Sequence, residues 1–193
     1  MEDRHTQLAT LAKHQDSVVS RSQLYALGFT RAEVRNQVRA RRWRRLGQHC
    51  LVMHTGPLSP DARYWAAVLE GGPRAVVDGE SALVLAGLRH YECGRIRVSV
   101  PRGARIRHRG SSVDIRQTRR WTPDDTVRDG VPRTPPPSRP CRAGLWARSN
   151  RQAELVMTMA VQQGLVRADE LAHEMLRVRR DKRRSCSTSW CWS

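Results

Sequence analysis

The chain has 193 residues, a formal net charge of +17 and 39% hydrophobic residues, enough for one domain or two small ones with a modest core. It contains no run of about 18 apolar residues, and the opening MEDRHTQLATLAKHQ lacks an apolar stretch, which argues against a membrane span and a secretory signal and for a cytoplasmic protein. Cys50, Cys93, Cys141, Cys186 and Cys191 are odd in number and scattered, which argues against a disulfide framework, while the charge points to a polyanionic partner.

The basic excess is nearly all arginine: Lys13 and Lys182 are the two lysines among 35 basic residues. GC-rich coding favours arginine codons whatever the function, and a guanidinium fork also suits phosphate and guanine, so charge alone does not choose between them.

In chain order, residues 7–15 predict a first helix, with Leu8, Leu11 and Ala12 on one apolar face. In VVSRSQLYALG, Ser20 and Gln23 have the spacing of a capping box, Leu24 and Leu27 supply a buried stripe, and Gly28 stops the helix. Thr30 and Glu33 repeat the box in TRAEVRNQVRARR, so a third helix follows almost at once. Two short capped helices around Gly-Phe carry the signature of a helix-turn-helix. In the third helix Val34 and Val38 face the core, while Arg31, Arg35, Asn36, Arg39 and Arg42 point elsewhere. Arginine bonds guanine edges bidentately and Asn36 or Gln37 suits adenine, so this is the candidate recognition helix, although a basic stripe is also what a merely solvated helix face presents. The next segment, RRWRRLGQHCLVMH, predicts two short strands around Gly47, with Arg44 and Arg45 at the exposed end: a wing for phosphate or the minor groove.

Past the Gly56-Pro57 break, Ser59 caps a helix in PDARYWAAVLEGG with Ala62, Trp65, Ala66 and Leu69 along one face and Gly71 and Gly72 at its end. Residues 75–77 predict a buried strand, residues 80–88 a short helix closed by Gly87, and IRVSVP, SSVDIRQT and the Val127 region alternate as strands. Residues 150–163 and 168–179 predict two further helices, with Val156, Met159 and Ala160, then Leu171, Met175 and Leu176, as packing faces. The expected fold class is α+β: a winged helix-turn-helix over residues 1–56, a small α+β domain over 57–134, a Pro-rich linker or aberrant segment over 135–148, helices over 149–184 and a disordered tail over 185–193.

These residues carry a resemblance. The S-R-x-Q-L-x-x-L-G-x-T turn at 20–30, the basic helix, the strand at 50–53 and the S-A-x-x-x-x-G-L helix at 81–88 resemble the AbiEi-type antitoxin and transcriptional-regulator family. The likeness spans about residues 8–134 and resumes over 143–184. It implies a winged helix-turn-helix followed by a small α/β domain, and a regulator that binds double-stranded DNA near its own gene, with a cognate toxin or self-association as further partners. Many such relatives carry a C-terminal domain of the restriction-endonuclease type. That chemistry needs an acid two residues before a lysine on a strand, but Leu11 precedes Lys13 and Arg180 precedes Lys182 at that spacing, and the chain ends where such a domain would begin. The alternative reading is a truncated or frameshifted remnant of a nuclease-bearing relative, without activity. RTPPPSRPCRAG and SCSTSWCWS break the family pattern and read either as out-of-frame translation or as a flexible linker and tail.

No other site is expected. His49, Cys50 and His54, with His90 and Cys93, lack zinc-ligand spacing, and Asp124-Asp125 after Pro123 is ordinary turn chemistry. No phosphate loop or nucleophile elbow occurs, so no cofactor, metal or catalytic residue is nominated. A third possibility is a protein-interaction module whose arginines reflect codon usage.

Overall fold

The structure is a computed structural model, which describes residues 3–104, 112–119, 126–136 and 138–177. Its architecture is mixed α+β. In order, the elements are α1 (Arg4–His14), β1 (Val18–Ser20), α2 (Arg21–Ala26), α3 (Arg31–Arg39), β2 (Arg44–Arg45), β3 (Cys50–Val52), α4 (Pro60–Gly71), β4 (Val76–Val77), α5 (Gly79–Leu85), β5 (Ile96–Pro101), β6 (Val113–Thr118), α6 (Ser138–Trp146), α7 (Asn150–Gln162) and α8 (Ala168–Arg177). None of the helices among the described residues is long and apolar enough to cross a membrane.

The first sheet has the order β1-β3-β2, all antiparallel: Val18 faces Val52, Ser20 faces Cys50, and Arg45 faces Leu51. β1 was not expected from the sequence, because three residues between two helices are too few to show an alternation; burial on both faces makes all three inward. Leu8, Val19, Leu24, Phe29, Val34, Trp43 and Leu51 close one core between α1, α2, α3 and this sheet. The second sheet has the order β4-β5-β6, with β5 antiparallel to β4 and parallel to β6. The Val127 region, expected as a strand, makes a single bridge to Arg133, which also bridges Val77.

α4 joins the two halves. Ala62, with Trp65, Ala66 and Leu69, packs on Val18, Cys50 and Val52 of the first sheet. Ala67 and Val68 pack on Val77, Val98 and Val100 of the second. Core side chains therefore run across the expected boundary at residue 56. A third core, from Leu83 and Leu88 through Cys141 and Ala143 to Val156, Ala160 and Leu171, runs across the one at 134.

The segment 135–148, expected as a linker because of its prolines, contains α6, and this is a correction. Pro140 is the third residue of that helix, in the first turn, where backbone N–H groups have no intrahelical acceptor and a proline removes nothing. Almost every residue of α6 is buried, wedged between α5 and α7. A second correction concerns α8: Leu171 is buried and Met175 packs beside it, but Leu176 is 65% exposed. Asp124, Asp125, Lys182, Cys186, Cys191 and the tail over 185–193 lie outside the described residues.

Candidate nucleic-acid interface

Local chemistry fixes the relation of α2 to α3. Ser20 and Gln23 make a reciprocal capping box at the start of α2. At its end Gly28 takes φ +84°, the Phe29 N–H donates to the Leu24 carbonyl at 3.0 Å and the Gly28 N–H to Tyr25 at 3.0 Å, the paired bonds of a Schellman stop. Phe29 is thereby buried, edge-on to Trp43 with ring centroids 6.3 Å apart. Thr30 begins α3 at once, with its own capping box to Glu33.

Glu33 is the one acid of this stretch, and it is occupied. Its carboxylate accepts from the Thr30 N–H at 2.7 Å, from the Thr30 hydroxyl at 2.9 Å and from Arg4 at 2.8 Å. The backbone bond from Thr30, then the bond from Arg4, hold its carboxyl down to about 2. Arg4 in turn lies over the Phe29 ring, 4.8 Å from its centroid.

Arg31, Arg35, Asn36 and Arg39 are all exposed on α3, with the three arginines at four-residue spacing along one stripe. Arg42 follows the helix and is exposed, as are Arg44 and Arg45 in β2. Arg44 donates to the Gly56 carbonyl at 2.8 Å. Among the described residues, Arg31, Arg35, Arg39, Arg42 and Arg45 meet no carboxylate, so their guanidinium groups are available to an external anion. The sequence reading missed Arg41, which is exposed between Arg39 and Arg42 and extends the same basic run; its place in VRARRWRR was the available signal.

The hairpin β2–β3 is held from below by a group that the sequence did not suggest. Glu70, buried near the end of α4, accepts from the His49 N–H at 2.7 Å and the Cys50 N–H at 2.9 Å. Gly47 lets the chain approach this carboxylate closely: a β-carbon there would meet it unless Glu70 shifted off its two N–H donors. The Arg21 guanidinium closes the other side on the Gln48 carbonyl at 3.1 Å. Burial, with Glu70 nearby, pushes the Cys50 thiol up, so it is a neutral packing group.

The other concentration of charge lies inside the second half. Arg97 meets Glu80 at 2.7 Å and Asp114 at 2.5 Å, while buried Asp78 accepts from Ser99, from Arg142 at 3.4 Å and from the Gly79 N–H at 2.8 Å. Arg97 and Arg116 both lie over the Trp146 ring, at 5.3 and 4.0 Å. These groups answer one another and tie β5, α5 and α6 together. Among the described residues no group of three or more His, Cys, Asp or Glu side chains is placed to hold a metal ion.

No model of a known protein family matches the chain, and no curated protein matches it.

Proposed function

We propose that residues 4–53 are a winged helix-turn-helix that binds double-stranded DNA, and that the protein is a non-catalytic transcriptional regulator. The supporting topology is helix, strand, helix, helix and hairpin with the strand order β1-β3-β2. In this reading α3 enters the major groove with Arg31, Arg35, Asn36 and Arg39 toward base edges. Arg42, Arg44 and Arg45 neutralise phosphates, the last two from the wing. The observation that carries the reading is the exposed stripe of Arg31, Arg35 and Arg39 on a helix whose one acid is sequestered by Thr30 and Arg4.

The test is binding of the purified protein to duplex from upstream of its own gene and to a scrambled duplex, across a salt series. Tighter binding to the upstream duplex at every salt concentration is the expected result. Equal binding to both, fading steeply with salt, reduces the arginines to nonspecific electrostatics. No binding to either leaves the module a protein-interaction surface.

A further inference from the structure

A cleft of about 340 Å³ lies where α1, α4 and the 126–132 segment meet, within the size range of small-molecule sites. One wall is apolar, from Trp65, Val68 and Leu69. Gln15, 8% exposed at the C-terminus of α1, lines the cleft, and its Oε1 has no hydrogen-bond partner among the described residues. The Thr126 Oγ1 is likewise buried without a partner among the described residues. Orphaned polar atoms of this kind are rare and costly inside a folded chain, and a glutamine amide turns readily about its last torsion to meet a ligand. At the mouth, Arg74 and Arg128 are exposed and meet no carboxylate among the described residues.

We propose that this cleft binds a small aromatic carboxylate carrying a hydrogen-bond donor at the end opposite its acid group. The donor reaches Gln15 and Thr126, the ring lies against Trp65, Val68 and Leu69, and the carboxylate stays at the rim with Arg74 and Arg128. The site is independent of the DNA reading, since it is assayed without DNA.

The probe is 4-hydroxybenzoate, titrated calorimetrically into the full chain. Saturable binding at one site per chain is expected. 4-Methylbenzoate, which keeps the charge and loses the donor, binds about tenfold more weakly, as does 4-hydroxybenzoate to Gln15→Leu. The rim pair Arg74→Ala with Arg128→Ala, at exposed positions that do not endanger the fold, weakens binding by a similar factor. Absence of saturable binding overturns the proposal. So does equal affinity for the two benzoates, which is the mark of nonspecific attraction to a basic protein, or unchanged affinity in the rim variant.

Discussion

Glu33 bonds to Thr30 within α3's first turn and to Arg4 from 29 residues away. Its folded pKa of about 2 lies below the ordinary carboxyl range, so its stabilising contribution is complete above the unfolded value, roughly 4.3. That contribution is lost as pH falls from there through about 2. The difference in melting temperature between wild type and Glu33→Gln is therefore predicted to be present at pH 7 and to close toward pH 2. A difference that persists unchanged at pH 2 would show that the carboxylate charge is not what matters. Arg139 is the opposite case: 6% exposed, it meets no carboxylate among the described residues and donates to the Thr134 carbonyl at 2.6 Å. Burial, then the neighbouring Arg133, bring it down to about 10. Arg139→Met is predicted to stabilise the fold by about 1 kcal/mol or more in urea unfolding, since relief of a buried cation outweighs one hydrogen bond. The Thr30–Glu33 spacing is legible in the sequence because capping is local; the Arg4 contact and the burial of Arg139 are tertiary and leave no local pattern.

The helix stops show where an element's chemistry can and cannot be read. α2, α5 and α7 end in Gly28, Gly87 and Gly164, with φ of +84°, +103° and +68°, and in each the next residue donates back across the turn. α3 ends in the same pair of bonds, Arg41 to Val38 and Arg42 to Gln37, both at 3.1 Å, but Arg41 holds the left-handed position at φ +54°. No glycine marks that stop, so the sequence carries no sign of it. A side chain there is strained, and Arg41→Gly is predicted to raise stability by about 0.5–1 kcal/mol, read by chemical denaturation. In the hairpin, Glu70→Ala strands the His49 and Cys50 N–H groups and is predicted to destabilise by about 1–3 kcal/mol; Glu70→Gln, which keeps an acceptor, loses less. An unchanged midpoint in Glu70→Ala would mean that the hairpin holds itself.

At the scale of the molecule, the amphipathic helices and the two longer strands follow from periodicity, while the joints between layers do not. α4 has apolar residues on two faces because it packs on two sheets, so a single stripe through Ala62, Trp65, Ala66 and Leu69 describes only half of its contacts. The prolines before α6 suggest an interruption in the chain, yet proline in a first turn is compatible with a helix, and buried neighbours supply the rest. The exposed arginines are legible as a run; which of them stand clear of acids is decided by Arg4, remote in sequence, taking Glu33. Two paired substitutions separate the roles proposed for that run. Arg44→Ala with Arg45→Ala is predicted to weaken binding to every duplex alike and to lower the steepness of the salt dependence by about 2. The most direct test of the central claim is the same titration with Arg35→Ala and Arg39→Ala together. Loss of the preference for the upstream duplex, by about 1–3 kcal/mol per base contact removed, with most nonspecific affinity retained, is the predicted result. A variant that discriminates between upstream and scrambled duplex as well as wild type does would contradict it.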